Sequence, residues 1–313
     1  MTESTTATLP ARPFGRHSDR VSIIALGGGH ISRPGVTDQE AERMIRTALD
    51  NGVTFFDTSW DYAEGLSERR YGRVLPDHRD DIFLMSKVCD RTRDGALEQL
   101  DESLRRLRTD YLDLWQFHEI NYDNDPEWIF EPGGAVEAAE IAKAQGKVRY
   151  VGFTGHKSPH IFKSMLAADY EWDSCQMPVS VFDHQYRSFI AEILPELNRR
   201  GIACIGMKSL GGNGQFITEG GLTAQELRRY ALSQPITSLA CGAVTHADVL
   251  QDLEIARTFT PMTEDEQQAL RDRVRRQATD GRHEWFKTST YFDSPYHADA
   301  HGFGSHLRIP RLP

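Results

Sequence analysis

Residues 82–88, IFLMSKV, lead through a turn into Leu97, Leu100, Leu104 and Leu107, and then into 111–117, YLDLWQF. The leucines recur at steps of three and four, the spacing of a helix with one buried stripe. The flanking runs are short and continuously apolar, as parallel strands covered on both faces are. Outward from this unit the pattern repeats. Further strand-like runs lie at 22–27 (SIIALG), 53–57 (VTFFD), 148–154 (VRYVGFT), 174–179 (SCQMPV), 202–207 (IACIGM) and 237–243 (TSLACGA), making eight. Thr37-Asp38-Gln39-Glu40 reads as a capping box, with Gly52 as the C′ residue of the same helix. Gly146 and Gly201 end two later helices. Eight βα units without a break in composition predict an α/β fold, a single-domain (β/α)8 TIM barrel.

The barrel is expected over 13–262, after a disordered lead-in at 1–12. An extra helix (263–277) and an aromatic-rich tail, together 263–313, are expected to cover the barrel mouth. The 313 residues are 39% hydrophobic and 26% charged, within the globular range. No run approaches the ~20 apolar residues of a membrane span. The opening MTESTTATLPARPFGR lacks the apolar core of a secretory signal. Cys89, Cys175, Cys204 and Cys241 are far apart and set in or at the ends of apolar runs, which predicts reduced thiols and a cytoplasmic setting. A formal charge of −10 disfavours nucleic acid as a partner. Arg271, Arg273, Arg275 and Arg276 read as a solvated helix face. Oligomeric state is left open.

In such barrels the chemistry sits at the C-terminal ends of the strands. Asp57 ends the second run and is followed by Thr-Ser-Trp-Asp-Tyr62. Lys87 lies near the end of the third, and the fourth runs into His118. A lysine among buried positions must be paired or shift its pKa, and Asp57 supplies the pair. The ammonium would favour the phenolate of Tyr62 and so depress its pKa. His118 would hold a carbonyl oxygen near that acid. Such a set protonates an alkoxide formed as hydride reaches carbon, and the hydride must come from a cofactor.

FFDTSWDY (55–62), FLMSKV (83–88) and LDLWQFHE (112–119), in this order and spacing, resemble the aldo-keto reductase superfamily, over about 12–262. The resemblance implies a catalytic tetrad of Asp57, Tyr62, Lys87 and His118. It implies reversible NADPH- or NADH-dependent reduction of an aldehyde or ketone by direct hydride transfer, without metal, and a small-molecule carbonyl substrate as the partner. Thr154, Gly155 and His156, with Gln176, match the segment that holds the nicotinamide carboxamide. Met207 matches the position against the nicotinamide ring. Lys208, Leu210, Gly211 and Gly212 match a pyrophosphate loop. Gly28 would let the nicotinamide approach the backbone. His30, Trp60 and Trp115 are expected around the substrate.

After the eighth run, where the family commonly places basic residues for a 2′-phosphate, this chain has Thr245, His246 and Asp248, with Asp252 where an adenine-contacting Asn is common. Asp248 would repel that phosphate. The tail carries His283, His297, His301 and His306, whose irregular spacing does not suggest metal ligands. A second reading of the same fold is a nucleotide-binding, redox-sensing regulatory subunit with slow or no turnover.

Overall fold

The computed structural model describes residues 9–212 and 214–288. Two short antiparallel strands come first, β1 (Ala11–Pro13) and β2 (Arg20–Ser22). The eight expected runs follow as β3 (Ile24–Gly27), β4 (Phe55–Asp57), β5 (Phe83–Val88), β6 (Leu112–Phe117), β7 (Val148–Thr154), β8 (Ser174–Pro178), β9 (Ala203–Met207) and β10 (Ser238–Gly242). They pair in parallel and close into a barrel, with β10 beside β3. Closure gives every strand two neighbours and removes free edges. Among the described residues no helix is long and apolar enough to cross a membrane.

Side chains alternate between the barrel interior and the helix layer. Phe55, Phe83, Met85, Leu114, Ala203 and Ile205 form the interior cluster at the N-terminal end. Continuing inward by twos leads to Asp57, Lys87, Gln116 and Met207, and past the end of β6 to His118. Each column therefore changes from apolar to polar or ionisable within a few residues, apart from Met207. The opposite parity packs outward: Trp115, Phe117, Phe153 and Trp172 belong to the large cluster between strands and helices.

The β1–β2 hairpin closes the apolar end. Phe14 is fully buried there, its ring 4.6 Å from Phe83 and 5.2 Å from Tyr150. Arg16 and His17 both bond Asp173, at 3.0 and 2.9 Å, and Asp19 accepts from Arg149 and Tyr150. The lead-in is thus shorter than expected: Leu9 is buried and Ala11 and Arg12 are paired in strand. Residues 1–8 lie outside the described residues.

Helix ends follow local chemistry. Gly52, Gly146 and Gly201 all take positive φ, as the turn after a helix requires. Thr37 caps Asp38–Asp50 by accepting from the Glu40 N–H, but the Glu40 carboxylate accepts from the His246 N–H. The expected box is therefore only half formed, and its acid ties two helices together instead.

The extra helix spans Glu264–Val274. Beyond it Trp285–Lys287 make one 3-10 turn. Lys287 Nζ lies 2.6 Å from Asp183 and 2.7 Å from Glu284, all three buried, and Ser180 donates to Glu284 at 2.9 Å. Two carboxylates share one ammonium, and burial, then Asp183, push the Glu284 carboxyl up to about 7. This knot fixes the 281–288 strap to the loop after β8. The aromatic residues Tyr291, Phe292, Tyr296 and Phe303 and the histidines His297, His301 and His306 lie outside the described residues.

Phe14→Ala is expected to lower the unfolding free energy by about 3 kcal/mol, the usual cost of emptying a buried phenylalanine site. Urea titration measures it. A loss under about 0.5 kcal/mol, the range of surface substitutions, would show that the hairpin is not part of the barrel core.

Candidate active site

At the polar end of the barrel Lys87 points into the interior, 1% exposed. Its ammonium bonds Asp57 Oδ1, donates to the Thr58 carbonyl at 2.7 Å and reaches Tyr62 Oη at 3.3 Å. The other Asp57 oxygen accepts from Gln176 Nε2 at 2.7 Å. A buried ion pair is tolerated only when its remaining sites are satisfied, and here neighbouring strands satisfy them. Tyr62 arrives on the turn after β4, where the Trp60 N–H bonds the Lys87 carbonyl and the next two residues, Ala63 and Glu64, take positive φ. A Cβ on Gly29 would make an ordinary van der Waals contact with the Tyr62 ring, at 3.4 Å. His118 follows β6, its ring edge-on to Tyr62 with centroids 5.4 Å apart. The four expected catalytic side chains thus meet on one rim.

The direction of the Tyr62 shift is opposite to expectation. Burial, and then the charges of Asp57, Asp61 and Glu119, push the phenol well above its ordinary range. Asp57 neutralises Lys87 at contact distance, so the carboxylates outweigh the ammonium. Tyr62 is therefore held protonated, as a stored proton rather than a ready phenolate.

Asp61 is a site residue that the sequence reading missed. Its Oδ1 lies 3.1 Å from His118 Nδ1 and accepts from Ser59 Oγ at 2.5 Å, while Ser59 Oγ is itself 3.1 Å from the same nitrogen. Burial opposes its charge, but His118, then Ser59 and Lys87, hold the carboxyl far below its usual range. The Cys89 thiol stands 3.7 Å from His118 Nδ1, and burial pushes its pKa well up. Asp61, Cys89 and His118 are the group of described residues whose donor atoms, within 4.8 Å of one another, could hold a metal. The hydrogen bonds around Nδ1 use the same atoms. The signal in the sequence was that a histidine at a strand end needs a partner for its second nitrogen.

Thr154 is buried beside Gln176 in the β7–β8 register. Gln176 Oε1 is buried and has no hydrogen-bond partner, so an amide N–H brought there would satisfy it. A Cβ on Gly155 would come within 2.6 Å of the Ile120 carbonyl, so this glycine permits a close chain crossing. The His156 N–H bonds Asn121 Oδ1, and its ring packs edge-on to Phe286 of the strap. Met207 is half-buried at the rim on the interior parity. Gly28 serves packing, since a Cβ there would collide with Ser67 Oγ and approach the Asp57 carbonyl.

Elsewhere several expected ligands are committed to the protein itself. The Gly211 amide bonds the Lys208 carbonyl, and the Gly212 amide bonds the His283 carbonyl at 2.7 Å. Neither amide is therefore free to cradle pyrophosphate as expected. Leu210 packs against the apolar cluster beneath the strap. Lys208 has positive φ, its ammonium 5.6 Å from the centre of the Phe286 ring. Burial, with Arg33 and Lys87 nearby, depresses its pKa. Asp252 does not face outward to an adenine: it pairs with Arg228 through both oxygens, at 3.0 and 3.1 Å, and Arg228 also donates to Ser209. Arg228 is a buried cation the sequence reading missed. Thr245 and Asp248 form a reciprocal capping box, in which Asp248 Oδ2 accepts from the Val244 and Thr245 amides.

The substrate-side expectations fare unevenly. Trp115 is 1% exposed and lies in the strand–helix layer, so it walls no interior pocket; its parity, opposite to that of His118, already placed it there. Trp60 turns its indole to helix Arg93–Leu107, donating to Glu102 at 2.7 Å beside Arg106. His30 sits by β10, where a Cβ on Gly242 would meet its ring. Burial, then Arg33, Lys208 and Arg228, lower its pKa to about 4.

The chain is 31% identical to L-galactose dehydrogenase of Arabidopsis thaliana over 157 residues, 46% of this chain and 48% of that one. It is 34% identical to the methylglyoxal reductase YeaE of Escherichia coli over 139 residues, 43% and 46% of the two chains. The matches to these two curated relatives span about half of their lengths. Its fold is that of aldo-keto reductase AKR11C1 from Bacillus halodurans in the holo form, with a TM-score of 0.71 at 23% identity, covering 85% of this chain and 96% of that one. The family model described as "Aldo/keto reductase family" matches residues 23–253, and the chain belongs to that family.

Proposed function

We propose that this protein is an NAD(P)H-dependent oxidoreductase that reduces an aldehyde or ketone to an alcohol, reversibly, with Tyr62 as the general acid. The observation that carries this reading is Tyr62 Oη at 3.3 Å from the Lys87 ammonium inside the barrel rim, with His118 alongside. The residues present fit a nicotinamide cofactor. Gln176 Oε1 supplies a buried, unsatisfied acceptor beside Thr154. Arg33 and Lys208, close enough to depress His30, supply positive potential for an anionic dinucleotide. When bound, that cofactor supplies the hydride.

The chain's own groups do the rest. His118 and Tyr62 orient the carbonyl oxygen, and Tyr62 gives its proton to the oxygen as negative charge develops there. Lys87 then stabilises the phenolate left behind, which matters because the resting phenol is so weak an acid. Asp57 holds Lys87 in place. The names of the relatives favour a small, polar carbonyl compound as substrate. The four buried, unpaired cysteines favour a reducing, cytoplasmic setting.

Tyr62→Phe removes the proton donor and is expected to lower kcat for a generic aldehyde by about 10²–10⁴; wild-type rates would sink the reading. In the reverse direction Tyr62 must act as a phenolate. Its raised pKa means the base form appears only above the ordinary tyrosine range, so kcat for alcohol oxidation should still be rising at pH 10. A plateau reached by pH 8 would contradict that. Because Asp248 already fills the amides at the start of helix His246–Arg257, a 2′-phosphate finds an anion in its place. NADPH should be preferred over NADH by less than about 100-fold in kcat/KM, equivalent to under about 2.7 kcal/mol, and Asp248→Ser should shift the ratio towards NADPH. A larger wild-type preference would overturn this.

A further inference from the structure

Three consecutive strand ends of the barrel bring three different donor atoms to one point. Asp61 lies in the turn after β4, Cys89 one residue past β5 and His118 one residue past β6. His118 Nδ1 is 3.1 Å from Asp61 Oδ1 and 3.7 Å from Cys89 Sγ, and all three atoms fall within 4.8 Å of one another. A tetrahedral zinc ion binds nitrogen and oxygen at about 2.0–2.2 Å and sulfur at about 2.3 Å, which sets its ligands roughly 3.4–3.6 Å apart. The nitrogen–oxygen and nitrogen–sulfur edges are therefore within about 0.3 Å of what such an ion requires. Ser59 Oγ, 3.1 Å from the same nitrogen, or a water can take the fourth position.

We propose that Asp61 Oδ1, Cys89 Sγ and His118 Nδ1 form a binding site for one thiophilic divalent cation of the zinc type, and that filling it slows carbonyl reduction. One nitrogen, one sulfur and one carboxylate oxygen suit zinc or cobalt rather than magnesium or calcium, which take oxygen ligands. The neighbouring cations do not forbid a dication, because Lys87 is paired with Asp57 and Arg91 with Asp125. Entry is from the rim, where the Asp61 side chain keeps 11% of its surface exposed. The ion replaces the hydrogen bonds that otherwise satisfy these atoms. Binding exchanges the Cys89 S–H bond for a sulfur–metal bond and releases that proton to solvent; nothing is oxidised or reduced. Burial disfavours a lone thiolate, and a thiolate bound to a dication is no longer alone.

The slowing follows from how the ligands are tethered. His118 is held by the ion directly, and Tyr62 is the residue after Asp61. The Trp60 N–H bonds the Lys87 carbonyl and the Tyr62 N–H bonds the Ser59 carbonyl, each at 3.3 Å, so Asp61 cannot be drawn inward without moving the phenol. Both groups that meet the carbonyl oxygen are thereby displaced or fixed. This consequence rests on the carbonyl-reductase reading; the binding itself rests on the geometry alone.

The test uses the full chain, stripped with EDTA and then freed of chelator. Co²⁺ is expected to bind in one equivalent, giving a cobalt–thiolate charge-transfer band and the visible bands of a tetrahedral ion. With Zn²⁺, the rate of aldehyde reduction should fall in step with the fraction of sites filled and return on adding EDTA. Cys89→Ala should show no thiolate band, and Zn²⁺ should leave its rate at its own metal-free value. Absence of the band in the wild type, the same band or the same inhibition in Cys89→Ala, or an unchanged rate at full occupancy each overturns the proposal. Should Cys89→Ala not fold, Asp61→Asn serves instead: it should keep the thiolate band and need about tenfold more Co²⁺ or above to reach it, and unchanged affinity overturns the site. Full activity in Tyr62→Phe would sink the carbonyl-reductase reading and leave the cobalt band standing; an inactive Tyr62→Phe together with no band in the wild type would sink the metal site alone.

Discussion

A lysine ammonium inside a barrel is the constraint around which the rest of this site is arranged. Lys87 occupies an interior position whose two predecessors on the same face, Phe83 and Met85, are apolar. An isolated charge there would cost several kcal/mol. Asp57, one strand away, meets it, and Gln176, across the barrel, takes the second Asp57 oxygen. The pair thus joins β4, β5 and β8 through side chains, over and above their backbone ladders. Tyr62 is held within reach of the same ammonium, so the element that makes the charge tolerable also sets where the phenol can stand.

The site repeats this economy at a second point. Asp61 and Ser59 gather at His118 Nδ1 as Asp57 and the Thr58 carbonyl gather at the Lys87 ammonium. The two acids stand four residues apart, Asp57 at the end of β4 and Asp61 in the turn after it, with Tyr62 next to the second. One loop therefore sets the electrostatics of the whole rim. Its cost is visible in the phenol, which burial and then the assembled carboxylates push up rather than down.

Much of this was legible in the chain. The eight strands appear within one or two residues of their expected places, because continuous apolar runs between amphipathic helices have few other uses. That Asp57, Tyr62, Lys87 and His118 would meet on one rim was legible because ionisable residues ending such runs need a reason to be there. The β1–β2 hairpin was not, since strands of three residues carry no period to detect. Arg228 and Asp252 meet only through the third dimension, 24 positions apart, so Asp252 could be read as a ligand when its partner was another side chain. Trp115 was misread for a different reason. Its parity relative to His118 was in the sequence, but an aromatic residue near a strand end suggests a pocket wall. The sign of the Tyr62 shift depended on how deeply the phenol is buried and then on the carboxylates around it, and the folded chain sets both.

The hairpin that carries Phe14 has a kinetic meaning. By stoppering the apolar end with a buried ring and tying it down through Asp173 and Asp19, it makes the barrel a cul-de-sac. Whatever reaches Lys87 must come and go through the rim that carries Tyr62 and His118. Behind that rim the interior is filled by Phe55, Phe83, Met85 and Leu114, so a molecule that enters there can leave only by the way it came.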